Sequence, residues 1–133
     1  MRKALLVKDR MVSPVVTTRP TTTISEVLQV MTEQSFRRVP VVDAEMNLVG
    51  IIAFHDIDRA MRSPGVIPLT PVDWVMMKNP VSVEQDEPLG SAIRLMRRYK
   101  VSGLPVLCQG KVIGIFSITD ALELCSELLE EEE

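Results

Sequence analysis

Apolar residues recur at Ile24, Val27, Leu28 and Met31, the i, i+3, i+4, i+7 spacing of a helix with one buried stripe. The same stripe returns at Leu89, Ala92, Ile93 and Met96. Beyond each stripe the pattern changes to nearly continuous apolar runs, Val39 to Val42 with Leu48 to Ala53, and Leu104 to Leu107 with Val112 to Phe116. Turn residues separate the runs, Asp43 to Asn47 in the first case and Gln109-Gly110-Lys111 in the second. Such pairs predict hairpin strands covered by helices on a face. A short extended stretch precedes each first helix, Val15 to Thr17 and Val81 to Val83, and a second helix follows each hairpin, from about Asp56 to Met61 and from about Asp120 to Leu129. Thr23, with Glu26 three residues on, is a capping-box signature, and Pro88 sits where a helix start tolerates proline.

The chain therefore repeats itself. Val7-Lys8-Asp9-Arg10-Met11 aligns with Val72-Asp73-Trp74-Val75-Met76, and Val39-Pro40-Val41-Val42 with Leu104-Pro105-Val106-Leu107, each 65 residues apart. Gly50-Ile51-Ile52 falls on Gly114-Ile115-Phe116 and Asp56 on Asp120, now 64 apart because the second turn is one residue shorter. Matched prolines and glycines in order carry more weight than apolar coincidences. The expected fold is mixed α/β (α+β), two βαββα repeats packed with pseudo-twofold symmetry into one globular module. The expected division is 1–61 and 72–129 for the repeats, 62–71 for a Pro- and Gly-bearing linker and 130–133 for an acidic tail. A repeat of about 60 residues is marginal alone, so the two should pack together.

Composition narrows the function classes. The 133 residues are 46% apolar, 25% charged and 4% aromatic, with net charge −3. Glu130 to Glu133 carry that surplus, and without them the charge becomes +1. A near-neutral body argues against a general nucleic-acid binder. Arg94, Arg97, Arg98 and Lys100 read as a solvated basic face near a helix end, with no interleaved aromatics to stack bases. No segment approaches the roughly 20 apolar residues of a membrane span, and the N-terminal run is broken at Lys8, Asp9 and Arg10 before a signal-peptide core forms. Two isolated cysteines, Cys108 and Cys125, and a single histidine, His55, supply no metal spacing and suit a reduced, cytoplasmic setting. The eight methionines read as core filler or dimer-face residues. Trp74 belongs either at a cleft mouth or on a dimer face.

The doubled set V-K-D-R-M, S-P, V-P-V-V-D, G-I-I-A-F-H-D and V-D-W-V-M, N-P, L-P-V-L, G-I-F-S-I-T-D resembles the tandem cystathionine β-synthase (CBS) domain pair, or Bateman module, from about Val7 to Leu124. The resemblance implies a regulatory module binding adenosine-containing ligands (AMP, ADP, ATP or S-adenosylmethionine) in clefts between the repeats. It also implies self-association into flat dimers and an effector protein, its identity open, to which binding is relayed. No cofactor is implied beyond the adenine nucleotide as regulatory ligand.

A ribose requires a carboxylate for its hydroxyls, and phosphates require N–H groups, hydroxyls or arginines. Ser117-Ile118-Thr119-Asp120 places hydroxyls and a carboxylate where a strand passes into a helix, beside free N–H groups. The family pattern G-h-x-[S/T]-x-x-D matches at Gly114, Ser117 and Asp120, and the resemblance assigns Asp120 to the ribose and Ser117 to the phosphate. Ser-x-x-Asp is also an ordinary capping box, and one serine can serve both roles. In the first repeat Asp56 is retained but Ala53 replaces the hydroxyl, with His55 either a phosphate donor when protonated or a solvent-facing residue of a first helical turn. Arg37 and Arg38 read as phosphate ligands or as cations at a helix C-terminus; their counterparts are Ser102 and Gly103, so the fold does not demand the basic pair.

By the resemblance, each site is completed across the pseudo-twofold. The better-equipped one draws on Val7, Lys8, Phe36, Arg37, Arg38, Pro40, Ser117, Thr119 and Asp120. The poorer one draws on Val72, Val101, Ser102, Gly103, Pro105, Ala53, His55 and Asp56. The two lead-in valines, Val7 and Val72, are equally readable as core. An enzyme is the weakest reading, because no base and orienting group assemble around the single His55 for a nucleophile at Cys108 or Ser117. An interaction scaffold without ligand is the alternative function.

Overall fold

The computed structural model describes residues 5–131. The basic start, Met1 to Ala4, and the last two tail residues, Glu132 and Glu133, lie outside the described residues. The fold is mixed α+β, with two three-stranded sheets and four helices. The helices are α1 (Ile24–Gln34), α2 (Phe54–Met61), α3 (Leu89–Tyr99) and α4 (Ile118–Glu131). The strands are β1 (Arg38–Val42), β2 (Leu48–Ala53), β3 (Met77–Lys78), β4 (Val83–Glu84), β5 (Gly103–Cys108) and β6 (Lys111–Ser117). One sheet runs β1-β2-β3 and the other β4-β5-β6.

The compact units divide the chain differently from its repeats. One unit holds Val15–Pro80 with Gly110–Val112; the other holds the described residues up to Pro14, Val81–Gln109 and those from Ile113 onward. Each repeat's leading segment thus folds with the other repeat's helices.

In the α1–α2 unit, the core is Ile24, Val27, Met31, Val39, Val41, Ile52, Ile57 and Val72. Thr23 caps α1, its hydroxyl accepting from Glu26 N at 3.2 Å; that is the threonine half of the predicted capping box, the Glu26 side chain making no reciprocal bond among the described residues. Val72 arrives on a 3₁₀ turn, Val72–Trp74, that the periodicity does not announce. Its position is fixed by Val72 N donating to Thr22 O (2.7 Å), Asp73 N to Pro20 O (3.0 Å) and Ile24 N to Thr70 O (2.9 Å). Then β3 pairs antiparallel with β2, Met77 opposite Ile51. The linker is pinned here too: Thr70 is buried, its hydroxyl accepts from Ile67 N at 3.0 Å, and Pro68 O accepts from Ser25 N.

The α3–α4 unit repeats this plan. Its core is Val7, Val83, Leu89, Ala92, Met96, Leu104, Val106, Phe116 and Leu124. A 3₁₀ turn, Val7–Asp9, delivers Val7, with Val7 N donating to Glu87 O, Lys8 N to Gln85 O and Leu89 N to Leu5 O, all at 2.9 Å. Val12 then pairs with Ile115. These glycine-bearing strands leave room for the incoming segment. A Cβ on Gly114 would lie 2.7 Å from Val12 O and 3.0 Å from Met11 Sδ, and one on Gly50 would lie 2.9 Å from Met77 O and 2.5 Å from Met76 Sδ. Only glycine permits that approach.

Some predicted bounds change. Val15 to Thr17 forms no strand; only Thr18 bridges, parallel to Val41, while the second repeat's strand is Val83–Glu84, parallel to Val106 and Leu107. Strands this short are set by a distant partner rather than by local pattern. α2 begins at Phe54 rather than Asp56, because the Asp56 carboxylate accepts from Ala53 N at 3.1 Å and caps the helix from its third residue. α4 begins at Ile118 and continues through Glu130 and Glu131, so the start of the acidic tail is helical.

Candidate functional site

In the α3–α4 unit, β6 delivers Ser117 directly into the first turn of α4. Asp120 Oδ2 accepts from Ser117 N at 2.7 Å and from Ser117 Oγ at 2.9 Å, while Asp120 N donates to Ser117 Oγ at 3.4 Å. The capping box is therefore formed, and it holds a hydroxyl and a carboxylate together at a helix start. Asp120 Oδ1 carries no hydrogen bond among the described residues, which leaves one carboxylate oxygen for a ligand. Thr119 is exposed beside it. Ser102 is in the same unit: its carbonyl accepts from Ile118 N at 2.9 Å, joining the residue before β5 to the start of α4. Val101, half-buried, and the buried Gly103 and Pro105 frame that position.

The α1–α2 unit carries the matching bond, Phe54 N to Arg37 O at 2.8 Å. Its chemistry differs. Ala53 gives no hydroxyl, and Asp56 Oδ1 is already occupied, with Arg59 Nη2 at 3.1 Å and His55 Nε2 at 3.3 Å. His55 is 73% exposed, the solvent-facing alternative. Arg37 is exposed and its guanidinium lies 5.1 Å from the centroid of Phe54, a cation–π arrangement. Arg38 is half-buried at the start of β1, and burial, followed by the neighbouring charge of Arg37, pulls its guanidinium below the usual arginine range. Phe36 is half-buried and Pro40 fully buried, the latter opposite Ile51 in the sheet. Sequence reasoning did not anticipate the contact of Phe54 with Arg37. The signal was an aromatic at the helix entry in a chain with only three phenylalanines.

Val7 and Val72 take the core alternative. Each is 0% exposed. Each also spends both backbone groups, Val7 O on Arg10 N and Met11 N, and Val72 O on Val75 N and Met76 N. Lys8 is exposed and paired with Asp86 Oδ1 at 3.0 Å, a hydrogen bond and charge that hold its ammonium above the usual lysine range. Arg94, Arg97, Arg98 and Lys100 are exposed, as expected of a solvated face. Met96 is core, Met76 packs against the α1–α2 core, and Met77 and Trp74 are exposed, Trp74 at 77%. Among the described residues no cluster of His, Cys, Asp or Glu could hold a metal ion.

The doubled strand-to-helix junction, with a carboxylate three residues into each second helix, defines a repeat class, and comparison gives that class its name. The CBS domain family model matches twice, over residues 7–63 and 72–127, and the chain belongs to that family as a CBS domain pair. A CBS domain-containing protein of Dictyostelium discoideum is 36% identical, over 95% of this chain and 94% of its own length. L-aspartate semialdehyde sulfurtransferase of Methanocaldococcus jannaschii is 29% identical over 90% of this chain, which spans only 23% of that enzyme. The solved CBS domain pair of protein MJ0100, in complex with 5′-methylthioadenosine and S-adenosyl-L-methionine, superposes with a TM-score of 0.84 at 27% identity, covering 98% of this chain and 100% of that one.

Proposed function

We propose that this pair is a non-catalytic sensor of an adenosine derivative (AMP, ADP, ATP or S-adenosylmethionine). Asp120 takes the ribose hydroxyls, and Ser117 and Thr119 a phosphate or its equivalent. The observation that carries the reading is the Ser117–Asp120 junction, where a hydroxyl and a carboxylate with one open oxygen are held at the start of α4. The adenosine ligands of the MJ0100 pair support the choice of ligand class. Ligand binding acts on an effector protein, and on a homodimer of this chain, by favouring one of two states. The non-catalytic reading is supported by the roles these groups already fill: Asp120 Oδ2 caps the start of α4 through Ser117 N, and the single histidine, His55, is paired with Asp56. A cytoplasmic setting fits two free cysteines and the finding that, among the described residues, no helix is long and apolar enough to cross a membrane.

Thermal unfolding with millimolar AMP, ADP, ATP and S-adenosylmethionine tests the reading. A saturable rise in midpoint with at least one of them is expected. No rise with any ligand favours the second reading, a dimerising scaffold, for which the missing hydroxyl at Ala53 is the specific support.

A further inference from the structure

A cavity of about 270 Å³ opens in the α1–α2 unit between the Thr-rich segment before α1, the helix itself and Val39 of β1, lined by none of the residues given a ligand role above. Its floor is aliphatic: Val16, Val27, Val30 and Val39. At its rim stand one cation, Arg19, and one anion, Glu26, both exposed. Neither side chain has an ion pair or hydrogen bond among the described residues, and Thr17 and Thr18 also line the cavity.

Three features restrict what such a cavity holds. It lies below the roughly 300–1,000 Å³ of pockets for drug-sized ligands, so a nucleotide is too large and a single small metabolite fits. A lone anion is disfavoured, because Glu26 repels it and the N-terminal N–H groups of α1 are spent: Ile24 N on Thr70 O, Ser25 N on Pro68 O and Glu26 N on Thr23 Oγ. A purely apolar guest would cover the valines but leave both rim charges without a partner. A guest with a carboxylate for Arg19, an ammonium for Glu26 and a branched aliphatic body for the valine floor satisfies all three.

We propose that this cavity binds a free aliphatic α-amino acid, the carboxylate on Arg19, the ammonium on Glu26 and the side chain on Val16, Val27, Val30 and Val39. The proposal shares no residue with the adenosine reading, and each stands if the other falls.

Methyl NMR of the full chain during titration with L-leucine tests it, with isocaproate, lacking the ammonium, and isoamylamine, lacking the carboxylate, as companions. Saturable shifts confined to the four floor valines are expected with L-leucine, weakened about tenfold or more by removing either charge from the ligand, and likewise by Arg19→Gln or Glu26→Gln. Both replaced side chains are exposed, and an unchanged spectrum for the other methyls verifies the fold. Absence of saturable shifts at millimolar L-leucine overturns the proposal. So do equal affinities for leucine, isocaproate and isoamylamine, which would mark a nonspecific apolar groove.

Discussion

The starts of α4 and α2 are the same structure made from different chemistry. Both donate a backbone N–H to the carbonyl of the residue two before the Val-Pro or Leu-Pro of the hairpin's first strand, Ile118 N to Ser102 O in one case and Phe54 N to Arg37 O in the other. Both use an aspartate at the third helical position to accept from the residue before the helix, Ser117 N at 2.7 Å and Ala53 N at 3.1 Å. The difference lies in a hydroxyl and in the neighbouring side chains. Both aspartates turn Oδ2 to the cap, where Ser117 adds a hydroxyl bond that Ala53 cannot; Asp56 Oδ1 is taken by Arg59 and His55, where α4 carries Glu123 and Thr119. Duplication thus preserved the scaffold bonds while the polar equipment diverged, separating what the fold requires from what a ligand would require.

The shared scaffold gives the largest expected effects. Gly50→Ala and Gly114→Ala each drive a Cβ against a backbone carbonyl under 3.0 Å away, and each should destabilise by roughly 1–3 kcal/mol in chemical unfolding. Equal stability to the native chain would show that the incoming segments are not packed as described. Val7→Ala and Val72→Ala should lose similar amounts, about 1–3 kcal/mol each, since both side chains are wholly buried in the two cores.

A smaller effect sharpens the comparison itself. Ala53→Ser supplies the missing cap oxygen, and Ser is favoured over Ala there by about 1 kcal/mol, so the variant should melt higher without any ligand. No gain would mean that the Ser117 hydroxyl matters for something other than capping.

The smallest effect is a pH dependence. A hydrogen bond from Arg10 depresses the Glu127 carboxyl below its usual range. Its contribution to stability is then present above the ordinary glutamate range and fades as pH falls through the depressed folded value. Glu127→Gln should remove that component, leaving a slightly flatter stability profile on the acid side; an unchanged profile would show that the exposed pair contributes nothing, as many do.

The repeat, the four helices and the two hairpins were legible because they rest on local periodicity and on matched Pro and Gly positions. The Ser117–Asp120 box was legible for the same reason, its residues being three apart in the chain. What was not legible depends on partners distant in sequence. Val7 and Val72 read equally well as cleft or core, and the choice lies in bonds to Glu87 and Thr22, about 80 and 50 residues away. β3 and β4, two residues each, exist only through β2 and β5. The role of Phe54 beside Arg37 depends on the hairpin bringing residue 37 back to residue 54.

Calorimetric titration of the strongest-binding adenosine ligand into the native chain, Asp120→Ala and Asp56→Ala tests the central claim most directly. Removing the carboxylate that keeps an open oxygen should weaken binding by about tenfold or more, and removing the one already occupied by Arg59 and His55 should weaken it less. Equal losses in the two variants, or no binding heat in the native chain at millimolar ligand, would contradict it.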